Sequence, residues 1–546
     1  MSVARSSLLM ASGTVISRVL GFARAVLLAA MIGVTTNAAD AFGVANQLPN
    51  NVYAIIVGGV LNAVLVPQLV RASTHSDGGR GYIDRLLTLA IVVFGSVTVL
   101  ATIGAPLLVG LYTQGWGPDQ LALATAFAYW CLPQLFFYGL YSMLGEVLNA
   151  RSYFGPFMWA PVLNNVVALA GMGAYIVIFG MDPTGSQSVT HWSQQQISLL
   201  AGTATAGVAA QSLILFISWR KIGLHFKPNF KWRGFGLRPA AKAASWTLAM
   251  VLVTQVAGLV QTSVASTVVA TRATNGDAGI AAAGIAWLVF MLPHSVVTVS
   301  VATAYFTRIS QHAHRGDIAA LKVDLAAGMR TIALVSLLAE ATIITLAYPI
   351  ARVFVGEYPA TEALGTVIIA QLLGLLPFSI GFFLQKAFYA LEDTRTPFVT
   401  TVIQAALFIF GALLIQSQVP YFLRVAALAL LTAVTVLVQA GLAFVILRRK
   451  IGSFSAGFWF ATLRFAIAAV VAGLAGSAAL GAIGGVSRGT FAVATVLGAV
   501  ASCALVGAVI VVVFTLMLWA LRAPELKLLT AAVPAAWARL RGIVRK

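Results

Sequence analysis

The sequence contains little charge and almost no cysteine. Only 9% of its 546 residues are Asp, Glu, Lys or Arg, and 60% are hydrophobic, a balance too apolar for a soluble domain. Cys131 and Cys503 lie in apolar stretches far apart in the chain, which argues against a disulfide framework and favours small buried side chains. The chain also lacks a glycine-rich phosphate loop, a metal-spaced His and Cys cluster and a carboxylate pair in a soluble cleft. We therefore expect no enzyme activity, no cofactor and no metal site.

What the chain has instead is a series of apolar runs of roughly 20 residues. Only helices and closed barrels satisfy the backbone in lipid, and the short alternating strands of a barrel are missing. We predict an all-α integral membrane protein with about 14 transmembrane helices. The first run lacks a clear cleavage site, so we expect a retained span and no signal peptide. The predicted spans are 7–33, 42–70, 86–112, 120–148, 157–181, 196–219, 243–271, 279–307, 331–350, 363–390, 398–418, 422–447, 459–485 and 490–521.

The net charge of +19 would suggest nucleic-acid binding in a soluble protein, but here its distribution indicates topology. Most Lys and Arg residues lie in loops on one side of the predicted membrane. The other side has only four, at Arg272, Arg352, Arg424 and Arg488. The positive-inside rule therefore predicts that both termini are cytoplasmic. The basic loop 220–242 could also hold anionic headgroups, although a signal for orientation is the simpler interpretation.

Two proline-marked segments recur along the chain. LPNNVYAIIVGGV at Pro49 matches LPHSVVTVSVATA at Pro293, and LNARSYFGPF at Pro156 matches FYALEDTRTPF at Pro397, at offsets of 244 and 241 residues. Each offset spans six predicted helices, so the two copies share one orientation in the membrane. We predict two pseudo-symmetric six-helix lobes around a central cavity, plus two extra C-terminal helices. The divisions are the N-terminal lobe 1–219, the basic cytoplasmic loop 220–242, the C-terminal lobe 243–447, helices 13 and 14 in 448–521, and the basic cytoplasmic tail 522–546.

The first span carries two arginines, Arg18 and Arg24. An unpaired arginine in lipid costs roughly 2.5 to 3.5 kcal/mol, so lipid-facing positions are disfavoured. Guanidinium groups donate planar, bidentate hydrogen bonds and keep their charge, which suits them to phosphate oxygens. The alternatives are that the arginines pair with acids of neighbouring helices or extend to the inner surface. We favour a substrate-binding role for both.

Few acids are available to neutralise these arginines. Asp40 begins the second span, and only Glu340 lies near the middle of one. Glu340 is a candidate for coupling to an ion or a proton, although a protonated carboxyl bonded between helices is the simpler interpretation. Lys386, near an inner helix end, has no clear role, and His294, beside Pro293, could titrate near neutral pH but is more often structural at such a place.

Four segments carry a resemblance to a known family: SRVLGFAR (17–24), DAFGVANQLPN (40–50), LNARSYFGPFMWAPVLN (148–164) and FYALEDTRTP (388–397). In them the chain resembles the MurJ (MviN) family of lipid II flippases, in the multidrug/oligosaccharidyl-lipid/polysaccharide (MOP) exporter superfamily. The resemblance covers essentially the whole chain. It implies alternating-access transport of lipid II, the lipid-linked peptidoglycan precursor, from the inner to the outer leaflet of a bacterial cytoplasmic membrane.

The resemblance also implies roles for particular residues. Arg18 and Arg24 match arginines that hold the substrate pyrophosphate, Asp40 matches a functionally sensitive acid, and helices 13 and 14 would form a groove for the polyprenyl tail. The candidate gating or cavity residues are Asp40, Pro49, Asn50, Tyr53, His294 and Lys386.

The chain departs from the family pattern at two positions. Tyr53 stands where the family often has an arginine, and a second family arginine corresponds to about Leu288, beside Trp287. Either two arginines suffice, or Lys386, His294 or inner-loop residues substitute. The seventh and eleventh spans carry no carboxylate for the cation site of some relatives. The coupling ion is therefore open, and we expect the membrane potential to contribute.

Three other functions remain to be compared with this one. A flippase for another polyprenyl-pyrophosphate-linked oligosaccharide would use the same arginine chemistry. A cation-coupled drug exporter should have an acidic cavity, which the sequence does not supply. A membrane scaffold for cell-wall synthesis would not need the arginines. The expected partners are lipid II on an undecaprenyl or decaprenyl carrier, membrane lipids and cell-wall synthesis machinery, with no nucleic acid.

Overall fold

The computed structural model describes residues 3–57, 80–151, 153–231, 237–271 and 276–526, without the side chains of 3–11, 237–244 and 456. Regular secondary structure in these ranges is helical throughout, as predicted. The helices up to residue 271 are α1 (Val3–Ile32), α2 (Asn37–Ile56), α3 (Arg80–Ile103), α4 (Ala105–Tyr112), α5 (Pro118–Cys131), α6 (Gln134–Ala150), α7 (Gly155–Phe179), α8 (Gln194–Leu213), α9 (Leu215–Lys221) and α10 (Leu237–Thr271).

The remaining helices follow the same pattern of long spans and short pieces. They are α11 (Ile280–Pro293), a π-helical segment (His294–Thr298), α12 (Val299–His314), α13 (Ile318–Thr345), α14 (Ala347–Phe354), α15 (Tyr358–Leu372), α16 (Leu375–Ala390), α17 (Arg395–Gln418), α18 (Arg424–Ile451), α19 (Ala456–Ala482), α20 (Phe491–Ala494) and α21 (Val496–Ala520).

Thirteen stretches of the described chain are long and apolar enough to cross a membrane. Each overlaps one predicted span. The other predicted span, 42–70, lies partly outside the described residues, and its described part belongs to α2. The chain is therefore a multi-pass membrane protein, while the total of about 14 spans and the orientation of the termini stay predictions.

Two of the spans are broken near their middle. The stretch Pro118–Ala150 consists of α5 and α6, which are separated at Pro133, a residue that has no N–H to continue a helix. The stretch Tyr358–Ala390 consists of α15 and α16, which are separated at Gly374. A Cβ at Gly374 would lie 3.0 Å from Cα of Ala433, so the chain packs closely there. Both breaks leave backbone groups inside a span that need partners from elsewhere.

The breaks fall at corresponding places in the two halves of the sequence. Shifting Pro133 by the offset of 241 residues leads to Gly374. The short helices α4 and α14, eight residues each, follow the long helices α3 and α13 in the same way. The predicted repeat thus extends to the lengths and interruptions of the helices. The arrangement of two six-helix lobes stays a prediction.

Backbone contacts divide the chain into two compact units. Unit 1 comprises Met1–Ile285, Phe354–Ala360 and Ala405–Leu428. One apolar core among its described residues is built from α3, α6 and α9, with Phe94 and Trp219 among the largest fully buried side chains. The indole Nε1 of Trp219 donates a hydrogen bond to the carbonyl of Leu144 at 3.3 Å, so its polar atom is satisfied within the core.

Unit 2 comprises Ala286–Val353, Thr361–Gln404 and Ala429–Lys546. Its described residues include two apolar cores, and α13 contributes to both of them. One end of α13 packs with α12, α16 and α18 around Phe383, and the other end packs with α19 and α21 around Phe465 and Phe514. The position of α13 between these cores makes it the central helix of the unit.

The contact between α3 and α6 in unit 1 depends on Gly139. A Cβ at this position would overlap the ring of Phe94, which is 2% exposed. We expect Gly139→Ala to destabilise the protein by about 1–3 kcal/mol, because the ring has no free space into which to move. Thermal unfolding of the purified protein in detergent measures the effect.

Gly95 provides the matched control, since a Cβ there would meet nothing within 4 Å. Alanine has the higher helix propensity, so Gly95→Ala should leave the melting temperature unchanged or raise it. Equal melting temperatures for the two variants would show that the Gly139 contact is not tight.

Candidate functional site

Helix α1 is positioned in unit 1 by close packing against α7. A Cβ at Gly13 would lie 2.9 Å from the ring of Trp159, and one at Gly21 would lie 3.9 Å from the amide of Asn165. The Asn165 side chain donates a hydrogen bond to the carbonyl of Ser17 at 3.0 Å. Because positions 13, 17 and 21 lie on one face of a helix, these contacts fix how α1 is rotated.

The rotation of α1 leaves both arginines accessible. Arg18 is exposed, and Arg24 is half-buried near the Tyr138 hydroxyl and the Cys131 thiol. Neither arginine forms an ion pair with a carboxylate of the described residues, whereas Arg308 and Lys450 pair with Asp324 and Asp393. The predicted alternative, pairing with acids of neighbouring helices, is thus not seen in this part of the chain. Both guanidinium groups are available to an anionic ligand.

A chain of polar side chains extends from the neighbourhood of Arg24. The Tyr138 hydroxyl donates to the side-chain oxygen Oε1 of Gln134 at 3.1 Å, and Nε2 of Gln134 donates to Oδ1 of Asn46 at 3.3 Å. Gln134 is the first residue of α6, directly after the break at Pro133, and it is buried. The break therefore places a buried amide between α2 and α6. These bonds hold Tyr138 in a defined orientation beside Arg24.

The candidate residues of α2 have distinct surroundings. Pro49 is buried inside the helix and Asn50 is exposed. Tyr53 hydrogen-bonds to Ser142, and its ring centre lies 5.6 Å from that of Tyr138. Tyr53 thus places an aromatic ring and a hydroxyl group beside Tyr138.

Asp40 lies fully buried in the first turn of α2 and binds another helix. Its Oδ1 accepts a hydrogen bond from the N–H of Ala281 at 2.8 Å, in the first turn of α11. The residue before α11 is Gly279, which has no side chain to cap the helix, and a Cβ there would overlap the Asp40 carboxylate. Asp40 therefore caps α11 from a neighbouring helix and places a negative charge at its positive end. The assignment of Asp40 as a gating residue stays a prediction.

Glu340 does the same at the break before α16 in unit 2. Its Oε1 accepts a hydrogen bond from the N–H of Leu376 at 2.7 Å, and the N-cap of α16, Gly374, has no side chain. The carboxyl group on α13 thus satisfies a backbone donor that the break exposes inside a span. This contact explains the acid in the middle of a span without a coupling ion.

The other two candidates, His294 and Lys386, also lie in unit 2. His294 is buried, and its Nδ1 lies 3.0 Å from the Ser379 hydroxyl. Lys386 is half-buried in α16, with its ammonium group 5.5 Å from the ring centre of Phe382. Arg18, Arg24, Asp40, Pro49, Asn50 and Tyr53 lie in unit 1, while His294, Glu340 and Lys386 lie in unit 2.

The segment FYALEDTRTP forms the turn between α16 and α17. Asp393 accepts hydrogen bonds from the N–H and hydroxyl of Thr396, at 2.9 and 2.6 Å, and pairs with Lys450. Burial alone would raise the pKa of Asp393, but the bonds from Lys450 and Thr396 and the positive charge of Lys450 hold it below its usual value. This segment therefore has a structural role, fixing where α17 begins.

Sequence reasoning missed the polar chain of Asn46, Gln134 and Tyr138. The spacing of Gln134 and Tyr138, four residues apart after a proline in an apolar run, was the available signal. The cysteines are free thiols, with Cys131 buried and Cys503 half-buried, as expected for small apolar side chains.

We expect Asp40→Ala to destabilise the protein by about 1–3 kcal/mol, because the N–H of Ala281 loses its acceptor. Asp40→Asn should cost less, since an amide oxygen can still accept. Thermal unfolding measures both. The control is Asp119→Ala, which removes an exposed acid from the first turn of α5. If Asp40→Ala left the melting temperature unchanged, the capping of α11 by Asp40 would be excluded as a contribution to stability.

Comparison with known proteins places these features in a family context. The family model for the lipid II flippase MurJ matches residues 28–501. A probable lipid II flippase MurJ of Haemophilus influenzae is 27% identical over 410 residues, covering 70% of this chain and 75% of the relative. Its counterpart in Rhizobium tropici is 26% identical over 422 residues, covering 74% of each. Arg18 and Arg24 lie before the matched residues.

Solved structures show the same fold. A lipid II flippase MurJ in an inward closed conformation superposes with a TM-score of 0.70 at 18% identity, covering 93% of this chain and 98% of that one. An inward-facing multidrug transporter of the MATE family, in the MOP superfamily, superposes with a TM-score of 0.62 at 15% identity, covering 81% and 98%. At these identities the likeness concerns the fold alone.

Proposed function

Because the chain belongs to the lipid II flippase MurJ family, we propose that it moves lipid II from the inner to the outer leaflet of a bacterial cytoplasmic membrane. Such a family moves its substrate and does not catalyse a reaction, so no bond is made or broken. We assign the protein to the inner membrane with both termini in the cytoplasm, as the distribution of Lys and Arg favours.

The observation that carries this proposal is the open state of two arginines in the first span. Arg18 and Arg24 have no carboxylate partner among the described residues, and an intramembrane cation needs water or an anion. A pyrophosphate supplies several oxygens for two planar guanidinium forks. In the mechanism that we propose, both arginines bind the pyrophosphate, and the hydrogen-bonded Tyr138 fixes the wall beside Arg24.

The binding site then changes from inward-facing to outward-facing, and the headgroup is released on the outer side of the membrane. The polyprenyl tail stays in the lipid along α19 and α21, the last two long helices. The headgroup is anionic, so a membrane potential that is negative inside favours its outward movement by roughly 2.3 kcal/mol per charge per 100 mV. We propose this field as a driving force. We also expect contact with the cell-wall synthesis machinery, which uses the product.

A flippase for another polyprenyl-pyrophosphate-linked oligosaccharide uses the same arginine chemistry and is the alternative to test. A cation-coupled drug exporter has less support, because Asp40 and Glu340 bind helix ends and Asp324 forms an ion pair. A scaffold for cell-wall synthesis leaves the open arginines unexplained.

The first test is complementation of cells depleted of their own lipid II flippase, with outer-leaflet lipid II as the readout. Wild type should restore export, and Arg24→Ala and Arg18→Ala should each lower it at least about tenfold, because a charge-assisted contact is lost. Arg24→Lys should be intermediate, since it keeps the charge without the fork.

The matched control is Arg315→Ala, which removes an exposed arginine from the turn between α12 and α13. All variants are compared at equal abundance in the membrane. A wild type that inserts but restores no export would favour another substrate or a scaffold. Alanine variants as active as wild type would remove the arginines from the mechanism.

Glu340 separates a structural role from coupling. We expect Glu340→Gln to retain export, because the amide oxygen still accepts the N–H of Leu376. Glu340→Leu should lower the melting temperature, since that donor is left unsatisfied. Export and thermal unfolding are measured on both variants. Loss of export in a stable Glu340→Gln protein would instead assign Glu340 to coupling.

A further inference from the structure

A row of aromatic side chains runs along one side of unit 2 and ends at a lysine. We call it the aromatic ladder, and it consists of Trp287, Phe290, His294, Phe378, Phe382, Phe306 and Lys386. The ring of Trp287 stacks on Phe290 at 5.2 Å and meets the edge of Phe378 at 5.9 Å. His294 lies next, with its ring centre 4.7 Å from that of Phe378 and 5.3 Å from that of Phe382.

The lysine end of the ladder is held by two rings. The Lys386 ammonium group lies 5.5 Å from the ring centre of Phe382 and 5.7 Å from that of Phe306. These cation–π contacts hold the Lys386 side chain near α12. Without them, a lysine at this position would extend toward the membrane surface. The charge is therefore kept beside the ladder.

The π-helical segment after Pro293 gives the ladder its alignment. In an uninterrupted α-helix, Phe306 would lie about 120° round the axis from His294, at 100° per residue. The wider turn of residues His294–Thr298 rotates α12 back, so that Phe306 meets the same lysine as Phe382 of α16. Pro293 and the π-helical segment thus bring side chains of α11 and α12 onto the same side of this span.

Lys386 has no carboxylate partner among the residues that the structure describes. By contrast, Lys450 pairs with Asp393, and Arg308 pairs with Asp324 at 2.7 Å. A half-buried cation inside a span costs free energy unless an anion or water meets it. The charge of Lys386 is therefore available to an anionic ligand group at this end of the ladder.

The other end of the ladder presents a free aromatic face. Trp287 is 43% exposed although it stacks on Phe290, which is 1% exposed. On the adjoining α12, the exposed positions Ser300, Thr303 and Thr307 form a stripe of hydroxyl groups at helical spacing. The hydroxyl groups of Ser300 and Thr303 donate to carbonyls one turn earlier, and their oxygens can still accept a hydrogen bond from a ligand.

We propose that the aromatic ladder is a second headgroup subsite, which binds the saccharide and peptide of the substrate. This inference rests on the proposed function. The indole of Trp287 stacks on the apolar face of a sugar ring, whose C–H bonds match the negative face of the aromatic system. Lys386 binds a carboxylate of the peptide.

The length of the ladder fits this occupant. Phe378, which contacts Trp287, and Lys386 lie eight residues apart on α16, which corresponds to about 12 Å. A saccharide with an attached acidic peptide can span that distance, whereas a free phosphate ion cannot. The subsite therefore provides selection for the headgroup beyond the pyrophosphate common to all polyprenyl carriers.

The test compares two probes on the full chain in lipid nanodiscs: lipid II, and undecaprenyl pyrophosphate, which carries neither sugar nor peptide. Wild type should bind lipid II more tightly. Lys386→Gln should weaken lipid II binding about tenfold and Trp287→Leu about fivefold. Both should bind undecaprenyl pyrophosphate within about twofold of wild type. Arg24→Ala should weaken both probes equally.

The controls are Lys386→Arg, which keeps the charge and should keep lipid II binding, and two changes outside the ladder. Arg315→Gln removes an exposed cation from the turn between α12 and α13, and Trp246→Leu removes a tryptophan of α10 that is 41% exposed. Neither should alter the binding of either probe. A melting temperature for each variant separates misfolding from loss of a contact.

The outcomes distinguish this inference from the proposed function. A wild type that binds neither probe overturns both. A wild type that binds the two probes equally, or ladder variants that weaken both probes alike or neither, overturns the second subsite and leaves the flippase proposal standing. Selective loss of lipid II binding in the ladder variants establishes it.

Discussion

Backbone hydrogen bonding in a medium without water is the constraint on which this structure depends. Helices α11 and α16 both start after a glycine that has no side chain to cap them, at Gly279 and Gly374. In each case a carboxylate from another helix supplies the missing acceptor, Asp40 for α11 and Glu340 for α16. The few acids in the spans thus accept hydrogen bonds from the first N–H groups of helices, so that a helix can begin where its own sequence supplies no cap.

This use of the acids has a consequence for the cations. In the described chain the buried carboxylates of Asp324 and Glu525 bind basic residues, and so does the half-buried Asp393. Arg18, Arg24 and Lys386 are left without acidic partners there. Positive charge that the protein does not neutralise itself is suited to a ligand with several negative groups. The bound helix ends and the cations without acidic partners are therefore two sides of one distribution of charges.

Sequence could predict those parts of the site in which one residue is unusual for its position, without reference to any partner. A basic residue in an apolar run and a proline in a span can be recognised without a structure, and Arg24, Lys386 and Pro49 are examples. The partners were not predictable, because Gln134 and Asn46 lie in different spans and neither is unusual alone. The fold class was predictable because lipid allows few solutions for the backbone.

Hydropathy by itself determined that the chain crosses the membrane repeatedly as helices, since the length of an apolar run and its lack of charge are local properties. The constant offset between proline-marked segments likewise indicated a repeat. Only the tertiary structure decided what the unusual residues contact: that Glu340 meets a helix end, that Tyr53 packs against Tyr138, and that the π segment brings Phe306 to Lys386. These facts depend on helix rotation and on packing between distant segments, which no local pattern in the sequence encodes.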